Sequence, residues 1–157
     1  MSRIVCVVGA VCAAIVAAVV VATTSGAQGA GPPSGTLEVV WPARGQTVRV
    51  VDNPPRRDLS VGDMVIVKAR LRTPDGAAMG RVQAVLLATT RGTSGDSFRA
   101  QLSATLRLPD GDLVIEGFSD ETRGAETFAV VGGTGAYAGA RGTVVVSDER
   151  LTFTFIP

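Results

Sequence analysis

The chain has 157 residues, with 15 basic and 14 acidic side chains, no histidine, two cysteines and 4% aromatic residues. The near-neutral balance contains no basic block, which argues against nucleic acid as a partner. Without histidine the commonest general base and metal ligand are missing, so most serine-triad, zinc and haem-type sites are excluded.

Arg3 precedes an apolar run of nineteen residues, Ile4 to Ala22, followed by TTSGAQGAGPPSG. This layout predicts an export signal, with Ser25 and Ala27 forming the small-x-small site and cleavage after Ala27. Left uncleaved, residues 4–22 are just long enough to anchor the chain in a bilayer. Cys12 follows Gly9, Ala10 and Val11 and lacks the small residue directly before it that lipid attachment uses. Cys6 and Cys12 both fall in this segment, so the mature chain is expected to hold no disulfide, thiol nucleophile or thiolate metal site. The expected organisation is a signal over 1–27, a flexible leader over 28–35 and one domain over 36–157 that is secreted. No stable membrane partner is expected once the signal is removed.

The mature part opens on a strand at Thr36 to Trp41, ended by Pro42, and a short apolar run at Thr47 to Val51. DNPPRRDLSVGD, residues 52–63, reads as a loop in which Arg56 and Arg57 are surface charge. Strands follow at Met64 to Thr73 and Met79 to Thr90, joined by the turn PDG. Phe98 to Leu108 alternates strictly, with Leu102, Ala104, Leu106 and Leu108 on one face and Gln101, Ser103, Thr105 and Arg107 on the other. PDGD leads into Leu113 to Phe118, then come Glu126 to Val131, Gly142 to Ser147 and LTFTFI. No segment of this part sustains a helical period. Many short strands with Gly/Asp turns predict an all-β domain. Closure into a small antiparallel barrel of eight strands hides the edges best, with a seven-stranded sandwich as the alternative.

Five glycines crowd residues 132–142 in VVGGTGAYAGARG. Read from Gly133, the dinucleotide pattern G-x-G-x-x-G fails at Ala138, and GTVVV follows where a helix would be needed. Positive φ and close backbone approach remain as the role for these glycines, with the Tyr137 ring packing over a barrel rim.

VVGGTGAYAGARG resembles the glycine-rich segment of the allene oxide cyclase and dirigent barrels. VKARLRTPDGAAMGRVQAVLL, residues 67–87, and SATLRLPDGDLVIEGF, residues 103–118, are similar to their hairpins, in the same order. The resemblance runs from about Asp63 to the C-terminus. It implies an eight-stranded antiparallel barrel around an apolar cavity and assembly as a homodimer or homotrimer. It also implies activity of one of three kinds: cyclising a fatty-acid epoxide, steering phenoxy-radical coupling, or closing rings in bacterial polyketides. Export fits the dirigent-like branch, although the N-terminal cysteine of the plant proteins is absent.

An apolar cavity of this kind acts by holding a flexible molecule in its reactive shape while a few polar groups steer charge. The candidates for that chemistry are Glu116 as acid or orienting carboxylate, Arg141 as a carboxylate or phenolate binder, and Tyr137 as a hydrogen-bond donor. Gln83 and Phe118 are candidates for contact with the substrate, a small apolar or phenolic molecule. Each has a plainer alternative: Glu116 facing solvent beside Arg107, Arg141 tying down its loop, and Gln83 on the outer surface with Arg81 and Val85. Asp75 and Asp110 are turn residues. The resulting expectation is a cyclase- or isomerase-like catalyst without cofactor or metal. A non-catalytic ligand-binding or purely structural secreted barrel is the alternative.

Overall fold

The structure is a computed structural model that describes residues 33–52, 59–91, 98–120 and 124–157. The expected signal, Cys6, Cys12, Arg56 and Arg57 lie outside the described residues. Nine strand segments occur in chain order: β1 Gly35–Val40, β2 Thr47–Val51, β3 Met64–Arg72, β4 Ala78–Arg91 and β5 Phe98–Leu108, then β6 Gly111–Asp120, β7 Ala125–Gly133, β8 Gly142–Ser147 and β9 Arg150–Phe155. All neighbouring pairs are antiparallel, in the order β1-β9-β8-β7-β6-β5-β4-β3-β2, and β1 also pairs with β3.

That last pairing closes the ring. β1 meets β3 at Val40 and Arg72, and β2 meets the same edge of β3 from Thr47 and Lys68 to Val51 and Met64. Residues 41–46 therefore stand opposite only residues 69–71, and β1 and β2 are two halves of one interrupted strand. Counted this way, the nine segments form a closed eight-stranded barrel. The interruption contains Pro42, which has no N–H to donate to a ladder. Trp41 secures it instead. Its backbone N–H donates to Glu149 O at 2.8 Å, and its indole N–H donates to Asp148 O at 2.8 Å.

Alternation decides what faces inward. β5 shows it most clearly: Phe98, Ala100, Ala104, Leu106 and Leu108 are buried, while Arg99, Gln101, Ser103, Thr105 and Arg107 are exposed. The core continues through Leu71, Leu113, Ile115, Phe128, Val144 and Phe153. A fully buried side chain of this size contributes about 1.5–3 kcal/mol, which lets the barrel hold without a crosslink.

The barrel end where β6 begins and β9 finishes is sealed by the glycine-rich connection. A 3₁₀ turn, Gly135–Tyr137, lies across it. Thr134 N–H donates to Asp112 O, Ala136 N–H donates to Asp110 O, and the Thr134 hydroxyl accepts from Asp112 N–H. The glycines make this approach possible. A Cβ on Gly111, where φ is +147°, would stand 2.0 Å from Thr134 O, and one on Gly135 would stand 2.2 Å from Asp110 O. The stretch thus packs main chain on main chain, and Tyr137 caps it with its ring 6.5 Å from that of Phe155.

Candidate functional site

The expected site residues do not converge. β6 buries Leu113, Ile115 and Ser119, so Glu116 and Phe118 project from the outer wall, and Phe118 is 54% exposed. Gln83 lies between buried Val82 and Ala84 and is outer surface as well. Tyr137 and Arg141 belong to the sealed end. The Arg141 guanidinium donates to Val131 O at 2.7 Å and to Ala140 O at 3.0 Å, which ties the loop down. Glu116 and Arg141 therefore do not pair. Strand parity puts the carboxylate outside, and the arginine is held by backbone carbonyls. Burial raises the Tyr137 phenol above its usual range, with the Asp110 charge adding to the effect.

The inner wall carries its polar chemistry at the opposite end, where β6 finishes and β7 begins. Two cross-strand rows define it. The first runs Ala88, Ala100, Ser119, and on through Glu126, Val146, Leu151 and Val39; the second includes Leu86, Leu102 and Gly117. Ser119 is buried at 4% exposure, and Glu126 shares its face with buried Phe128 and Val130. The Ser119 hydroxyl donates to Glu126 Oε2 at 2.8 Å, and Asp120 N–H donates to Glu126 Oε1. Glu126 ionises, and so does the buried Asp63 just before β3, which bonds through its backbone to Ala88 of the same row.

Exposure along this inner wall is uneven: in the row that holds Glu126, Ala88, Ala100, Ser119, Leu151 and Val39 are all buried. Val67, Leu102 and Val146 point inward yet are only partly buried. Val48 and Val50 lie directly across from Val67 and Val65 on the same face, and they are 55% and 45% exposed. Ala88 and Ala100 are buried beside the carboxylate, and the Phe128 ring occupies the space that a side chain at Gly117 would need, 2.8 Å from its Cβ position. Asp63, wholly buried at this rim, accepts from Ser60 N–H at 2.6 Å and from its hydroxyl at 3.1 Å, which fixes the start of β3.

Sequence reasoning passed over Glu126 and Ser119. The signal was present, because Ser119 shares parity with Leu113 and Ile115, and Glu126 with Phe128 and Val130. Among the described residues no group of three or more carboxylates, cysteines or histidines is arranged to hold a metal ion. The arrangement can bind an apolar body, place one carboxylate against it and keep that carboxylate in a fixed orientation.

The fold is a closed antiparallel barrel with an apolar inner wall. Residues 46–156 match the family described as allene oxide cyclase barrel like domain, and the chain belongs to that family. No curated protein matches the chain in sequence. Among solved structures it is similar to a pyocyanin demethylase, with 23% identity and a TM-score of 0.64 over 77% of this chain and 99% of that one. It is also similar to a nonspecific heme-binding cyclase that catalyses [4 + 2] cycloaddition during neoabyssomicin biosynthesis, with 18% identity and a TM-score of 0.53 over 79% and 65% of the two chains. The Diels Alderase AbmU from Streptomyces koyangensis gives 20% identity and a TM-score of 0.55 over 79% and 67%. These likenesses concern the fold.

Proposed function

We propose that the barrel takes a small, largely apolar molecule through the end bearing Glu126 and acts on it as a cyclase- or isomerase-like catalyst. In this reading Glu126 accepts a proton from the bound molecule, or stabilises positive charge that develops as a ring closes. Ser119 is a positioning residue that holds the carboxylate. The apolar rows around Leu102 and Phe128 restrict a flexible substrate to its reactive shape, which converts lost substrate entropy into rate. A charge in a wall of low polarity acts more strongly than it would in water.

The observation that carries the reading is the inward Glu126–Ser119 pair on a largely apolar wall. Three solved barrels of this shape that act on small molecules support it as analogy only. Export through residues 1–27 is part of the same proposal and places the substrate outside the cell. It predicts that the mature chain starts near Gln28 in the culture medium.

The test uses the full chain and a panel of flexible polyenes and unsaturated carbonyl compounds, read by chromatography with mass detection. A cyclase or isomerase yields a product of unchanged mass and altered retention. Glu126→Gln is expected to bind the substrate and not convert it, and Ala104→Phe, which fills the interior, is expected to do neither. Conversion by Glu126→Gln at the wild-type rate would overturn the reading. The second reading, a non-catalytic binding barrel, is favoured by the fact that both Glu126 oxygens already accept hydrogen bonds. It predicts saturable binding without any product.

A further inference from the structure

The outer wall carries a charge pattern that the linear sequence conceals. On it β3, β4 and β5 present Lys68, Arg70, Arg72, Arg81, Arg99 and Arg107, and the three strands contain no carboxylate. No two of these cations adjoin in the chain, so no basic block is visible. The sheet brings several of them together. Arg70 stands directly opposite Arg81, and Arg81 directly opposite Arg107, so three arginines occupy one row across three strands. Lys68 lies one step along the same face, opposite Gln83, which in turn faces Thr105.

Like charges directly opposed across strands destabilise a sheet, so such a row needs an explanation. Counter-ions supply only part of one. Arg107 donates to both oxygens of Asp112, at 3.1 and 3.2 Å, and the bond holds the Asp112 carboxyl below its usual range. Arg72 donates to Gly76 O at 2.7 Å within its own hairpin. Lys68, Arg70 and Arg81 make no hydrogen bond or ion pair among the described residues. These three, with Arg107, Gln83 and Thr105, line an outer concavity of about 760 Å³.

We propose that this outer groove binds a short oligoanion bearing two or more phosphate groups, at a site separate from the barrel interior. Paired guanidinium forks match phosphate oxygens bidentately, and Lys68, Gln83 and Thr105 add donors beside them. The groove favours a short ligand over a long polymer or a membrane surface for two reasons. Its size suits a small molecule. The cationic row also stops at Asp112, whose carboxylate would repel an anion that continued past it. Gly45 and Thr47, beside the β1–β2 interruption, bound the groove on its other side.

Titration calorimetry of the full chain with sodium tripolyphosphate at low ionic strength tests the site. One saturable site per chain is expected, weakening steeply as salt is added. Arg81→Gln is expected to weaken binding at least about tenfold, the scale of one lost charge-assisted contact. Arg99→Gln removes an equal charge from elsewhere on the outer wall and is expected to leave binding unchanged. Glu126→Gln, at the interior site, is likewise expected to leave it unchanged, so this site and the proposed catalytic reading stand or fall separately. Absence of saturable binding, or equal losses in Arg81→Gln and Arg99→Gln, would overturn the inference. So would binding of phosphatidylglycerol vesicles or single-stranded oligonucleotide by a chain that does not bind tripolyphosphate.

Discussion

At the sealed end of the barrel, main chain touches main chain: Gly111 lies against Thr134, Gly135 against Asp110, and Gly142 against Thr154, each too close for a side chain. At the opposite end the inner wall is uneven: Ala88, Ala100, Leu151 and Val39 are buried. Val48 and Val50 stay half exposed, Leu102 is only partly covered, and a serine and a glutamate face inward. The same alternating strands supply both ends. What differs is the residue at each turn and the size of each inward side chain. One end therefore carries stability, while the other is free to carry chemistry.

The largest test of this division acts on the closed end. Gly111→Val is expected to lower unfolding free energy by about 3 kcal/mol or more in urea denaturation, because φ is unfavourable and the Cβ position is occupied by Thr134 O. A loss below about 1 kcal/mol would mean that the contact relaxes easily and the seal is not rigid. A finer test compares two leucines on one face of β5. Leu106 is fully buried, so Leu106→Ala is expected to cost about 3–4 kcal/mol. Leu102 is only partly buried, and Leu102→Ala is expected to cost roughly 1–2 kcal/mol, because less contact is lost. Equal costs would show that the interior is packed throughout.

The strands were largely legible from the sequence. Phe98–Leu108, Gly142–Ser147 and Thr47–Val51 occur where alternation and turn residues place them, and the other strands differ at their ends by one or two residues. The joining of β1 to β2 was not legible. It depends on two segments sharing one edge of β3, and no local pattern records that pairing. Which side chains face inward was less legible. Glu116 has apolar neighbours along the chain, whereas a strand sends successive side chains to opposite faces. Parity anchored on Leu113 and Ile115 points to Ser119 and sets Glu116 and Phe118 outside. The basic groove was hidden in a similar way, since register between strands assembles it.

A substitution at Glu126 separates the two ends by function rather than by stability. Glu126→Gln preserves shape, with its amide oxygen accepting from Asp120 N–H and its NH2 donating to the Ser119 hydroxyl oxygen, so its effect on stability is expected to stay within about 1 kcal/mol. Turnover is expected to vanish. Ser119→Ala frees the carboxylate without removing it, and is expected to lower kcat more than it raises KM. A Glu126→Gln variant that unfolds would instead make this pair a wall fastening, and the contrast between the ends would collapse.

The smallest expected effect lies at the sealed end and appears only at alkaline pH. Tyr137 is the only tyrosine in the chain, so tyrosinate absorbance reports on it alone. Burial favours the neutral phenol and raises its folded pKa above the unfolded value of about 10. The folded state then holds the proton more tightly than the unfolded state. The stabilising effect is fully present below the unfolded pKa and is lost as pH rises through the folded one. Stability is therefore expected to fall above about pH 10, and Tyr137→Phe is expected to flatten that decline. A spectrophotometric pKa at or below the unfolded value would mean that water reaches the phenol, and the end described as sealed would be open.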